Sequence, residues 1–351
     1  MTFIRHISLH CYLALLGTMF SYVLAAQEGN LAKALTEVDS NYIHTADDFI
    51  TGRFYFSQKY TSIVLEGRKE IQDLRYRPNT TLNMGIGITY RAFSLNLAYG
   101  FQFLNRDKEK GKTRYLDLQT HLYPRNWTID FFGQLYKGYF LFPKGLGNND
   151  PKNYYLRPDV GVSLFGIALY NLINGSRFSY RAAMLQSEWQ KKSAGTWLVG
   201  GEIYAGSFSG DSVLVPSLLK EKYEQVDVQK VRFLEVGPGG GYAYTLVFKE
   251  NFFIMGSATL NLDIGLSREF IHGETHDKIS VSPNLIYRAV IGYNSKVWNL
   301  NVSLVGNRIA VRGASTNQDY LFNTGNYRLT FARKFLVGPA LKKKLRWIEK
   351  F

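Results

Sequence analysis

One cysteine, Cys11, is all that the 351-residue sequence contains. A single thiol cannot close an internal disulfide bond, and it cannot supply the several cysteines of a structural zinc site. After residue 26 the sequence also lacks any run of about twenty apolar residues, so it predicts no transmembrane helix. These absences exclude a disulfide scaffold and a bundle of membrane-spanning helices.

The first 26 residues have the order of a secretory signal peptide. Arg5 supplies the positive charge, residues 13–24 are mostly apolar, and Ala25 and Ala26 offer small side chains for cleavage before Gln27. An uncleaved membrane anchor is the alternative, but the apolar run is short for one. Because Cys11 falls within this segment, we expect a mature chain without disulfide or thiolate chemistry.

A hairpin pattern at residues 80–103 is the clearest local signal. Apolar positions alternate with polar or small ones through residues 82–90 and again through 93–102, on either side of a corner at Arg91 and Ala92. Side chains on a strand alternate between faces, so each arm has one apolar and one polar face. Each arm is about ten residues long, which suits a tilted strand that crosses a bilayer. The alternative is a soluble antiparallel sheet with a buried inner face.

The same alternation recurs along the chain. Short corners and longer polar loops follow each other in turn, as periplasmic turns and external loops do in outer-membrane barrels. Short and long connections alternate throughout only if the chain crosses the wall once more between residues 210 and 237, and we place this strand at residues 225–236. The sequence therefore predicts an all-β fold, a transmembrane antiparallel up-and-down β-barrel of about 14 strands, with about 12 as the alternative. The other predicted strands are residues 53–65, 112–123, 127–136, 157–170, 177–189, 196–209, 242–248, 253–266, 281–294, 297–311 and 325–335.

Four segments divide the chain in this interpretation: a signal peptide at 1–26, a periplasmic lead-in at 27–50, the barrel at 51–337 and a periplasmic tail at 338–351. Aromatic residues make up 15%, with 24 Tyr and 24 Phe, which favours strands and interfacial girdles. The net charge of +14 is spread too thinly for nucleic-acid recognition. We therefore predict a porin-like protein of a Gram-negative outer membrane.

Charged residues on the polar parity of the predicted strands are the candidate functional residues. A charge that faced lipid near the bilayer midplane would cost about 2–4 kcal/mol, so these side chains should point into the lumen. There they can line a conducting path, or they can pair with one another and fill the barrel. The lumen-facing candidates are Asp117, His121, Asp130, Arg181, Glu202, Asp263, Arg288 and Arg328.

Three patterns that could carry other chemistry are weak. His272, Glu274 and His276 include metal-ligand residue types, but Gly273 and a loop position favour a solvated loop over a helical metal site. The glycine-rich residues 237–241 lack the Lys and Ser/Thr of a phosphate loop and lead into a strand. His121 is not accompanied by the nucleophile elbow of a hydrolase. We therefore expect no enzyme, metal or cofactor.

Four segments carry a family resemblance: residues 80–105, 111–119, 177–201 and 237–248. They resemble a Bacteroidetes family catalogued as domain of unknown function 4421. The resemblance spans roughly residues 45–340, and it implies an outer-membrane barrel. It implies no activity, ligand or catalytic residue, so no role is carried over to a position of this chain.

Three functions remain open at this point. The first is a passive pore or small-solute channel, the second a structural or surface-interaction barrel with a filled lumen, and the third an outer-membrane lipid hydrolase. The expected partners are outer-membrane lipid, the barrel-assembly machinery and small solutes, and no nucleic acid. The radius of the interior decides between the first two, because a filled lumen excludes a static pore.

Overall fold

The structure is a computed structural model that describes residues 38–46, 48–90, 93–101, 104, 107–339 and 341–342. The predicted signal peptide, the first half of the lead-in and the end of the C-terminal tail lie outside these residues. The first eight strands in this part of the chain are β1 (Ile43–Thr45), β2 (Phe49–Leu65), β3 (Leu74–Arg77), β4 (Asn83–Tyr90), β5 (Phe93–Tyr99), β6 (Arg114–Asp117), β7 (Thr120–Leu122) and β8 (Trp127–Phe142). The others are β9 (Leu156–Leu172), β10 (Glu188–Gln190), β11 (Ala194–Ser209), β12 (Val228–Phe248), β13 (Phe252–Ile271), β14 (Glu274–Asn294), β15 (Trp298–Arg312) and β16 (Asp319–Leu336).

Ten of these strands form a closed antiparallel ring. Its order is β16, β15, β14, β13, β12, β11, β9, β8, β3 and β2, and β2 pairs again with β16 along its whole length. A sheet that closes on itself leaves no edge along this path, and this is how a barrel satisfies its backbone in an apolar surrounding. The predicted all-β, antiparallel closed barrel is confirmed.

Four further strands extend the sheet below β3. β4 and β5 continue from the first half of β2, whereas β6 and β7 pair with β8. β3 and β4 are separated at Pro78, which has no N–H to give to a ladder. The Thr81 and Tyr115 hydroxyls lie 3.1 Å apart, so the two extensions meet beside the ring.

The predicted strand count needs correction. Residues 177–189 do not cross the wall: they hold a π-helix, Arg181–Leu185, and the short strand β10, which pairs with β1 outside the main sheet. Residues 225–236 and 242–248 are not two crossings, because β12 runs through the glycines between them as one strand. Fourteen strands do join the main sheet, but only ten of them close the ring.

The wall is inverted relative to a soluble protein. On β13, Leu260, Leu262 and Ile264 are 60%, 61% and 61% exposed, whereas Asn261 and Asp263 are fully buried. Apolar side chains in such numbers on the outside of a fold require an apolar surrounding, and polar side chains inside require partners. This burial pattern disagrees with the soluble-sheet alternative.

Outward-facing aromatic side chains gather at the end of the barrel that holds the short β12–β13 and β14–β15 turns. Trp197 packs on Tyr242 at 4.9 Å between ring centroids, and Phe252 packs on Tyr293 at 5.4 Å. Trp298 lies 5.1 Å from Phe331 and carries Arg333 over its ring at 4.6 Å. Aromatic belts are typical of a membrane surface and short turns of the periplasmic end of outer-membrane barrels, so we call this end of the barrel the periplasmic end and the opposite one the outer end. In the part of the chain that the structure describes, no helix has the length and hydropathy of a membrane span.

Candidate functional site

An ion pair crosses the barrel interior. Arg288 on β14 donates from Nη2 to the Asp130 carboxylate on β8, and both side chains are fully buried. His121 Nδ1 lies 2.6 Å from the other Asp130 oxygen. β8 and β14 stand five places apart in the ring of ten, so this contact spans the lumen. A conducting path at this level would first have to break a buried ion pair, which is costly.

Two more of the predicted lumen residues, Glu202 on β11 and Asp263 on β13, lie in the same interior. Glu202 accepts hydrogen bonds from Tyr170 at 3.2 Å and Asn261 at 2.9 Å. Asp263 accepts one from Asn284 at 2.7 Å. Neutral donors from neighbouring strands therefore hold these carboxylates. The Tyr170 hydroxyl shares its one proton between Glu202 and the Asn261 Oδ1, which lies 2.8 Å away, and so joins β9 to β13. We call these residues, with Asp130, His121 and Arg288, the polar belt.

Asp117 and Arg328 complete the inward-facing set on the strands. Asp117 accepts from Tyr136 at 2.7 Å and pairs with Lys59 at 3.1 Å. The Arg328 guanidinium stacks over the Tyr55 ring at 4.4 Å. Both side chains thus contact neighbours inside the wall, and strand parity alone placed them there.

Arg181 lies elsewhere than strand parity placed it. It sits on the π-helix Arg181–Leu185. This helix belongs to residues 173–193, which connect β9 to β11 and fold back into the periplasmic mouth, and we call this segment the periplasmic plug. Arg181 Nε donates to the Tyr123 carbonyl at 2.7 Å, and a guanidinium nitrogen lies 3.7 Å from Glu188. The side chain therefore fastens the plug to the end of β7.

The periplasmic plug is locked by polar contacts to the surrounding wall. Arg53 donates to the Leu185 carbonyl at 2.6 Å, and Asn294 donates to the Glu188 carbonyl at 2.9 Å. Glu188 accepts two hydrogen bonds from Arg125, one of them at 3.0 Å. At its tip, Tyr180 lies under the Arg288 guanidinium, 5.5 Å from the ring centre. The plug therefore reaches the polar belt and closes the mouth below it.

The outer mouth is closed by residues 210–227, which connect β11 to β12; we call this segment the outer seal. Its apolar side chains Leu214, Val215 and Leu219 are buried in one cluster with strand residues from around the ring. In this cluster the ring centroids of Phe233 and Phe322 lie 4.6 Å apart, although their strands, β12 and β16, are four places apart in the ring. Close-packed apolar side chains leave no room for a column of water.

Hydroxyl groups fasten the outer seal to β3 and its loop. Tyr76 donates to the Leu214 carbonyl, and Tyr223 donates to the Gln72 carbonyl. Burial raises the pKa of Tyr223 to about 12, so its hydroxyl remains a donor at neutral pH. Arg157 adds a bond to the Val213 carbonyl at 2.9 Å.

The chemistry of this interior is that of a packed core. Nδ1 of His121 faces Asp130, and Nε2 is buried without a hydrogen-bond partner among the described residues, so no hydroxyl is positioned there as a nucleophile. In the same described ranges, no group of three or more His, Cys, Asp or Glu side chains is arranged to hold a metal ion. His272 is exposed in the β13–β14 turn and lies 3.7 Å from Asp227.

Sequence reasoning missed the plug and the outer seal. One signal for the plug was present: residues 182–185 read Ala-Ala-Met-Leu, an unbroken apolar run that ends the alternation expected of a strand. The outer seal had no comparable sequence signal, because its buried residues Leu214, Leu219 and Tyr223 have no regular spacing. Only the folded structure reveals that both connections turn inward.

Comparison with known proteins finds one matching family model and several solved outer-membrane proteins. The family described as "Domain of unknown function (DUF4421)" matches residues 37–335. The outer membrane protease OmpT from Escherichia coli is 10% identical with a TM-score of 0.37, over 83% of this chain and 98% of that chain. An outer membrane channel from Pseudomonas putida F1 is 9% identical with a TM-score of 0.26, over 85% and 100%. OprG from Pseudomonas aeruginosa is 12% identical with a TM-score of 0.21, over 83% and 97%. No curated protein matches the chain.

Proposed function

The chain belongs to the family described as "Domain of unknown function (DUF4421)", and we propose that it is a closed, non-conducting barrel of the outer membrane. Its role in this proposal is structural or surface-directed: the wall anchors the protein in lipid, and the exterior makes the contacts. The observation that carries the proposal is the Arg288–Asp130 pair, which joins opposite sides of the ring. The plug below this pair and the seal above it support the same conclusion.

A passive pore is the weaker proposal for this interior. A pore needs a continuous water-filled path with polar walls, and its interior charges must remain accessible to the solute. Here the belt residues Asp130, Asp263 and Arg288 are 0%, 0% and 2% exposed. A lipid hydrolase is weaker still, since it needs a nucleophile within hydrogen-bond reach of its base.

We expect purified protein in liposomes to be impermeable to small sugars and ions. Swelling assays and planar-bilayer recordings should match protein-free membranes, because three closures lie in series along the axis. A large-pore barrel reconstituted in the same lipid serves as the positive control. Steady single-channel steps from correctly folded protein would contradict the proposal.

Cysteine accessibility tests the filled lumen without measuring transport. Ala168 on β9 faces inward and is fully buried, whereas Thr275 near the β13–β14 turn is exposed. After removal of Cys11, we expect a polar thiol reagent to modify an Ala168→Cys variant about 100-fold more slowly than a Thr275→Cys variant, because reaction at Ala168→Cys needs local opening. An open lumen would give both thiols similar rates.

A further inference from the structure

Outside the wall, toward the outer mouth, small side chains leave a shallow groove of about 540 Å³ across β8, β9 and β11. We call it the outer-wall groove. Its floor consists of Gly161, Ser163, Ser207 and Ser209. Elsewhere on the wall, outward-facing positions hold large apolar residues. The Ser163 and Ser207 hydroxyls lie 2.8 Å apart. A polar floor on a lipid-facing surface is unusual, because hydroxyl groups gain nothing from hydrocarbon.

Cations flank this floor on both sides. The strand register places one outward row in the order Arg114, Lys137, Gly161, Ser209, Lys230 and Phe270. Lys137 and Lys230 are three strands apart in this row, which is about 14 Å at the usual strand spacing. Two small residues separate them, so the lysines border an open space that a headgroup can enter.

Like charges face each other at both borders of the groove. Arg114 and Lys137 are direct cross-strand partners, and so are Arg232 and Arg268. Such pairs are unfavourable unless an anion lies between or beside them. Asp277 neutralises Arg268 through hydrogen bonds of 2.5 and 2.6 Å. Among the described residues, no carboxylate is within ion-pair distance of Arg114, Lys137, Lys230 or Arg232.

The nearest acids do not remove the positive excess. Asp159, on the upper lip, is held by Arg157 at 2.8 and 2.9 Å. Asp211 is exposed beside Asp159, and its single negative charge is too small to balance the four unpaired cations of the groove. The groove therefore complements an anion with more than one negative charge.

An apolar outward row nearer the periplasmic end fixes the depth of the groove in the membrane. Two outward rows further toward that end, past the row that holds Ser163, Ser207 and Arg232, the register gives Gly133, Phe165, Ala205, Leu234, Leu266 and Ile279. This row is apolar throughout, and Phe165 and Ile279 are 52% and 75% exposed. A basic band of two rows, with Lys137 and Lys230 in the first and Arg232 in the second, above an apolar row is the order of headgroup and acyl chain at a bilayer surface.

From this geometry we propose that the outer-wall groove binds a phosphorylated glycolipid of the outer leaflet. The sugar headgroup lies on the glycine and serine floor, its phosphates contact Lys137 and Lys230 with Arg114 and Arg232 beside them, and its acyl chains lie along the apolar row. The proposal concerns the exterior only, so it holds whether or not the lumen conducts.

The test titrates detergent-purified, folded protein with bisphosphorylated lipid A and follows retained lipid by native mass spectrometry. A Lys137→Gln/Lys230→Gln variant should bind lipid A about 30-fold more weakly, because two headgroup-level cations are lost. Ser207→Trp should also weaken binding, since it fills the groove without changing the charge and faces away from the packed interior. Dephosphorylated lipid A should bind the wild-type protein as weakly as intact lipid A binds the double variant.

A matched control removes two cations at the opposite end of the wall. Lys296 lies in an exposed turn and Arg333 stacks outside Trp298, so Lys296→Gln/Arg333→Gln changes the net charge equally. This control should keep wild-type lipid A binding. Unchanged binding by the Lys137→Gln/Lys230→Gln variant, equal loss in the control, or equal binding of the phosphate-free lipid would each overturn the proposal.

Discussion

Replacing Arg288 with methionine should destabilise the folded barrel by roughly 3–5 kcal/mol, the usual cost of leaving one partner of a buried ion pair alone. Asp130 is fully buried, and the substitution removes its cation while His121 keeps a single hydrogen bond. The substitution also removes the contact between the guanidinium and the Tyr180 ring, so the tip of the plug loses support. Guanidinium unfolding in detergent micelles, followed by the gel shift of folded barrels, measures the effect.

Two further variants show whether the buried charge is the cause. Arg333→Met removes an exposed arginine that stacks on Trp298, and this loss should cost about 1 kcal/mol or less. Adding Asp130→Asn to Arg288→Met should restore at least half of the lost stability, because the unpaired carboxylate is gone. If Arg288→Met were as mild as Arg333→Met, the interior would have to be hydrated at this level.

Strand alternation predicted most of the wall, but it missed β3 and divided β12 into two crossings. The predicted hairpin contains β4 and β5, the predicted strands 253–266 and 281–294 lie within β13 and β14, and 297–311 differs from β15 by one residue at each end. The period-two signal is local, so each strand could be recognised from its own residues. Ring closure between β2 and β16 joins residues that are far apart in sequence, and alternation contains no information on that pairing.

The barrel interior was also only partly predictable from the sequence. Parity indicated which charges point inward, and it put Asp130 and Arg288 on inward faces of separate strands. It could not show that the two would meet, since that depends on the diameter of the barrel and the stagger of its strands. Strand alternation failed at Arg181, because the hydrophobic tip of the plug resembles a short strand up to Tyr180 and then becomes a π-helix.

Removing both end closures should make a silent barrel conduct, and removing either one should not. The reason is their serial arrangement: solute that passes one closure still meets the other. Both segments connect neighbouring antiparallel strands, with Leu172 opposite Leu198 at the plug and Ser209 opposite Lys230 at the seal. Short glycine-serine linkers in place of residues 176–192 and 212–226 can therefore rejoin the strands as hairpins.

The polar belt determines how large the new conductance is. With the plug and seal gone, water reaches the belt from both ends and hydrates the Arg288–Asp130 pair, so the pair narrows the lumen but no longer closes it. The double deletion should therefore give small currents, and adding Arg288→Ser with Asp130→Ser should enlarge them, because two short neutral side chains replace the bridge. Planar-bilayer recordings compare the variants once circular dichroism and the gel shift show that each has folded. Currents from a single deletion would show that the closures do not act in series, and silence of the combined variant would show that the lumen is closed by other groups.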